Sequence, residues 1–123
     1  MAVIAVAELD HPFKADGVRV FKWANLTETN NTGEPIPAAY LADKSVHVRG
    51  TWGTGGHAAI QGSNEADVAP ASANYTILSD PQGNTIDLTA DKIEAVLENP
   101  YWIRPAITAG TGVSVSVWLV AKR

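Results

Sequence analysis

Any chemistry in this 123-residue chain has to start from three histidines, His11, His47 and His57, and from carboxylates, because the sequence has no cysteine. Without thiolates a metal would need imidazole and carboxylate ligands. His47 and His57 stand on the two limbs of an expected hairpin, yet no third ligand lies at a diagnostic spacing, so neither a metal nor another cofactor is expected. Asp43, Ser45 and His47 gather the residue types of a nucleophile, base and orienter. Neighbours on one face of one strand cannot form that relay without a specialised turn. Asp91, Glu94 and Glu98 share one side of an expected helix, where a solvated polar face accounts for them. The chain has no Gly-x-Ser-x-Gly elbow, and the glycine-rich "TWGTGGH" lacks the Lys-Ser/Thr ending of a phosphate loop. The expectation is that the protein is not an enzyme.

Aromatic residues carry more information. Trp23, Trp52, Trp102 and Trp118 are many tryptophans for so small a chain, and a tryptophan supplies large contact area at little entropic cost. In the closing stretch "GVSVSVWLVAKR", Val113, Val115, Val117 and Leu119 alternate with Ser114 and Ser116, the pattern of a half-buried strand. Trp118 and Val120 then occupy the outer register, so that end of the strand is apolar on both faces. Trp102 lies opposite the Ile103 and Ile107 row in the same way. Trp102, Trp118 and Val120, with Val3, Ile4 and Val6 of the apolar start, are therefore the candidate partner contacts.

The elements that must position these residues are mostly short strands. "GVRVFKWANLT" is a strand candidate with β-branched and aromatic residues on both faces. Residues 45–52, the turn "GTGG" and "HAAIQGS" read as a hairpin. A second hairpin is expected around Asp80-Pro81-Gln82-Gly83, and a tight "GTG" turn joins the last two strands. Residues 89–98 read as one short helix, capped by Thr89, with Ile93, Val96 and Leu97 on one face and Pro100 stopping it. The fold class is mainly β: an antiparallel β-sandwich or jelly-roll with that single helix. Residues 1–16 form an apolar N-terminal arm and residues 17–123 one sandwich domain.

The formal charge is −4 and the few cations are scattered, which argues against a nucleic-acid partner. The apolar start lacks a basic n-region and reaches Glu8 and Asp10 too soon for a signal peptide or a membrane span, so no membrane partner is expected. Asn-x-Thr triplets at Asn25, Asn30 and Asn74 are read as loop and strand-end residues rather than glycosylation sites.

The order "SVHVRGTWGTGGHAAIQGSN", then "YTILSDPQGNTIDLTADKIEAVLENPYWIRPAITAGTGVSVSVWLVAKR", resembles the small virion-associated sandwich proteins of tailed bacteriophages known as decoration or cement proteins. The pattern runs from Ser45 to Arg123 and includes the Asp-Pro-Gln-Gly-Asn turn and the Ile103-Arg104-Pro105 strand. The resemblance implies a non-enzymatic, jelly-roll or sandwich protein made in the host cytoplasm. It also implies an oligomer, a dimer or trimer, on the outer capsid surface of the virion, clamping neighbouring copies of the major capsid protein. It carries over no individual contact residue. A carbohydrate-binding sandwich from a tail or receptor-binding apparatus, stacking sugars on Trp102 or Trp118, is the alternative.

Overall fold

The structure is a computed structural model in which residues 2–123 are described. Among the described residues ten strands make two antiparallel sheets. The first sheet has the order β1 (Val6–Glu8), β2 (Arg19–Leu26), β10 (Ser114–Lys122), β4 (Asp43–Thr51) and β8 (Lys92–Ala95). The second runs β3 (Ile36–Pro37), β9 (Trp102–Thr111) and β5 (Thr54–Ser63), with β6 (Thr76–Ile77) and β7 (Asp87–Leu88) both on the far edge of β5. This is the mainly β sandwich that the alternation of the strands requires.

The core forms where the inward registers of the two sheets meet. Val115, Val117 and Leu119 of β10, Val46 and Val48 of β4, and Trp23 of β2 pack with Ile60 of β5 and Ile103 and Ile107 of β9. Burying a side chain the size of Leu119 contributes about 1.5–3 kcal/mol. Trp23 is buried whole because its indole N–H donates to the Glu34 carbonyl at 2.9 Å, so no polar group is left unpaired. Near the end of β2, Asn25 takes a positive φ of 58° and the pairing with β10 slips by one residue. That bulge turns Leu26 into the core where strict alternation would have sent it outward.

One sequence expectation about hairpins needs correction. Residues 45–63 are not a hairpin, since β4 pairs with β10 and β8 in the first sheet while β5 pairs with β9 in the second. The last two strands likewise lie in different sheets. Both glycine-rich turns are corners at which the chain passes from one layer to the other, and the corners nest together. A Cβ on Gly53, at φ 57°, would lie 2.0 Å from the Thr111 carbonyl oxygen, and one on Gly110 would lie 2.6 Å from the Gly56 Cα. Glycine is required there for close approach, and the same composition suits a hairpin turn, so the sequence could not separate the two. The Asp80–Gly83 turn is a hairpin, with Gly83 N–H donating to the Asp80 carbonyl at 3.0 Å and Ser79 bridged to Thr85.

The helix expected over residues 89–98 is absent. Lys92–Ala95 is instead the edge strand β8, paired with β4 from Ser45–Ala95 to Val48–Lys92. Helix propensities differ by only a few tenths of a kcal/mol per residue, and pairing the open edge of β4 outweighs them. The proposed apolar helix face is split accordingly: Val96 is buried, whereas Ile93 is 65% exposed and Leu97 is 53% exposed. Among the described residues the only helical pieces are single 3-10 turns at Lys14–Asp16 and Pro70–Ser72.

The N-terminal arm straps the two sheets together along one side. Val6–Glu8 adds to β2, while Ile4 bridges Gly33, whose own N–H donates to the Pro105 carbonyl of β9. Ile4 N–H donates to Thr32 O at 2.9 Å and Val6 N–H to the Glu34 carboxylate at 2.9 Å.

Candidate functional site

The outward registers of the first sheet build one broad face. Trp118, at its centre on β10, stands beside Lys22 of β2 and His47 of β4, and His47 in turn beside Ile93 of β8. The next rung carries Val20, Val120, Ser45 and Ala95. The Trp118 ring lies 5.7 Å from the His47 ring and 4.9 Å from the Lys22 ammonium. No described residue packs across this face: Val120 is 38% exposed, and Trp118 keeps part of its surface in water. The two-faced closing strand is thus buried on one side by the core and open on the other.

Charges frame the face. Lys122 meets Asp43 at 3.6 Å at one end. At the other, Asp91 accepts the Trp52 indole N–H at 2.9 Å and the Gly50 N–H at 3.0 Å, with Arg49 nearby. Those two donors hold the Asp91 carboxyl below its ordinary range. Lys22 has no carboxylate partner among the described residues.

The second sheet is finished differently on its outside. The segment 64–75 folds back on it: the Trp102 indole N–H donates to Glu65 O at 3.2 Å, Glu65 receives Asn74, and Tyr75 lies under Arg104. A cleft of about 640 Å³ opens beside this segment, lined by Asn64, Glu65, Asn74 and Glu98 together with Leu78 and Pro100 among others.

Of the six candidate contact residues, the fold leaves Val3, Trp118 and Val120 outward. Ile4 and Val6 pack against the protein's own core, and Trp102 is partly buried, edge-on to Tyr101 at 4.8 Å. Val20, Lys22, Ile93 and Ala95 complete the open face and were not singled out from the sequence. For Ile93 the helical reading hid the signal, since an alternation of Ile93, Ala95 and Leu97 would have marked one strand face. His47 and His57 fall in different sheets, and His57 Nδ1 lies 3.4 Å from Asp87. Among the described residues no group of three His, Asp or Glu side chains is placed to hold a metal ion.

One cation is placed inside. Lys44 is 2% exposed; its ammonium donates to the Leu41 carbonyl at 2.7 Å and to the Asn99 side-chain oxygen. Burial lowers its pKa, against the opposing charges of Asp43 and Glu98. The contacts pin the segment after β8 to the start of β4, a structural task.

Among the described residues no helix is long and apolar enough to cross a membrane. No protein-family model matches the chain, and no curated protein matches it.

Proposed function

We propose that this is a non-enzymatic structural protein of a tailed-bacteriophage virion, which binds the outer surface of the assembled capsid and clamps neighbouring major capsid subunits. The observation that carries this reading is the open face of the first sheet, where Trp118, Val120 and Ile93 stand uncovered among Lys22, His47 and Ser45 on paired strands. A side chain on a strand presents contact area with little entropy left to lose, which favours docking over chemistry. The resemblance of residues 45–123 to decoration proteins supplies the partner. The face carries Lys22, Arg49 and Lys122 against Asp43 and Asp91, a local excess of one positive charge in a chain of formal charge −4. It suits an acidic patch on the shell.

A contact of standard size buries about 800 Å² on each partner. Binding that favours the intact lattice stabilises it by about 2.7 kcal/mol per site at a hundredfold excess over the dissociation constant. The test is DNA retention on heating by virions with and without the protein. Loss of DNA without it, restored on adding it back, is expected; equal retention overturns the clamp.

A further inference from the structure

Arg104 belongs to the Ile103-Arg104-Pro105 stretch of β9, on the outer side of the second sheet. Its Nε–H donates to the Gln61 side-chain oxygen at 3.0 Å, and its guanidinium carbon lies 3.8 Å from the centre of the Tyr75 ring. Tyr75 is itself fixed, because its hydroxyl donates to the Pro70 carbonyl at 2.9 Å. The guanidinium is therefore held in place through its Nε and its flat face. Its terminal nitrogens have neither a carboxylate within ion-pair distance nor a hydrogen-bond acceptor among the described residues. Of five donors in a rigid fork, one is used.

Arg104 also lines a groove of about 420 Å³, walled by Val3, Thr32, Gly33, Pro35, Pro70 and Ala71. The groove lies between the N-terminal arm and the 3-10 turn of the 64–75 segment. Its walls are largely aliphatic. Glu34 is the other charged residue along it, and the Glu34 carboxylate is engaged by the Val6 N–H. Arg104 is half-buried, and that burial lowers its pKa from the ordinary value, with Tyr75 opposing. A half-buried guanidinium whose terminal nitrogens are unengaged, set in a largely aliphatic groove, matches a single carboxylate flanked by apolar groups. A phosphate dianion fits less well, because the groove offers one cation and already contains Glu34.

We propose that this groove binds an acidic side chain, Asp or Glu, presented between apolar residues on an extended segment of a partner protein. Its volume falls at the low end for ligand pockets and suits a few residues of a peptide. The carboxylate closes on the Arg104 fork while its neighbours pack against Val3, Pro35 and Pro70. This site is on the other sheet from Trp118, so its failure would leave the reading of the open face untouched.

The experiment is an amide-resolved NMR titration of the full chain with the capped peptide Ac-Leu-Glu-Leu-NH2. The expected result is saturable shifts at Gly33, Ala71 and the Arg104 Nε–H, with the Gln analogue binding about tenfold more weakly for want of the charged hydrogen bond. Arg104→Lys, which keeps the charge and loses the fork, should weaken binding comparably while leaving the rest of the spectrum in place. Equal binding of the Glu and Gln peptides overturns the proposal, as does the absence of saturable shifts at millimolar peptide. Binding by Ac-Leu-Leu-OH in place of the Glu peptide overturns the assignment to a side chain. The peptide comparison decides the matter even where the Arg104 variant does not fold.

Discussion

The Lys22 ammonium lies 4.9 Å from the centre of the Trp118 indole, across the pairing of β2 with β10. A cation over an exposed ring contributes about 0.5–1 kcal/mol. Together with His47 on the opposite flank, it holds a large aromatic side chain in position on an open face. Alternation assigns Val117 and Leu119 to the core and Trp118 and Val120 to that face, so neighbouring residues on one strand answer to different tests.

Leu119→Ala should destabilise the fold by about 2–5 kcal/mol, because it opens a cavity in the packed layer between the sheets. Urea unfolding followed by tryptophan fluorescence measures it. A loss well below that range would place Leu119 outside the core.

Lys44→Met removes the ammonium that pairs Leu41 O and the Asn99 side chain, leaving both acceptors without their donor. The expected loss is about 1–3 kcal/mol. The amides nearest Asn99 should exchange faster with solvent in the variant, since the Lys44 ammonium holds the Asn99 side chain against β4. Unchanged exchange there would contradict the assigned role.

Gly33→Ala should be strongly destabilising although no positive φ is involved. A Cβ at this position would lie 2.5 Å from Trp23 Cδ1 and 2.7 Å from the Pro105 ring. Overpacking of this kind costs about 1–3 kcal/mol. Thermal melts of Gly33→Ala and Gly17→Ala make the comparison, because nothing lies within 4 Å of a Cβ at Gly17, where only the φ of 86° opposes the change.

Acid should loosen the corners before it unfolds the sheets. The Glu28 carboxylate accepts the Gly112 and Val113 N–H groups at 2.9 and 2.8 Å, which lowers its pKa from an ordinary 4.5. Asp80, receiving Asn84 and Gln82 N–H groups, and Asp91, receiving Trp52 and Gly50, are lowered from 3.8. A carboxyl whose pKa is lower folded than unfolded stabilises the fold above its ordinary value and loses that contribution as pH falls through the folded value. Melting temperature should hold steady above about pH 5 and decline below it, with a shallower decline in Glu28→Gln. Superimposable acid profiles for the two proteins would contradict this.

The sequence made the sandwich legible because strands with one buried face must alternate, and β10 does so over its whole length and β4 from Asp43 to Arg49. The Asp80–Gly83 turn was legible because proline fixes its φ and glycine admits the positive φ of 87° at Gly83. The β4–β5 and β9–β10 corners were not, since glycine serves equally to reverse a chain within a sheet and to carry it between sheets. Residues 89–98 misled for a different reason. Ala90, Lys92, Glu94 and Leu97 favour a helix locally, and only the open edge of β4, distant in sequence, makes a strand of them. On the candidate face, Trp118 and Val120 could be read from one strand's register, whereas Val20, Lys22 and Ile93 join them only through the order β2-β10-β4-β8.

The most direct measurement is cosedimentation of the protein and of Trp118→Lys with intact capsid shells and with free capsid subunits. The account predicts that the wild-type protein sediments with shells and not with subunits. Trp118→Lys should stay folded, melting somewhat lower for loss of the Lys22 contact, yet lose about 2 kcal/mol or more of binding. A variant that folds normally and binds shells as tightly as the wild-type protein would contradict the claim that the open face of the first sheet is the docking surface.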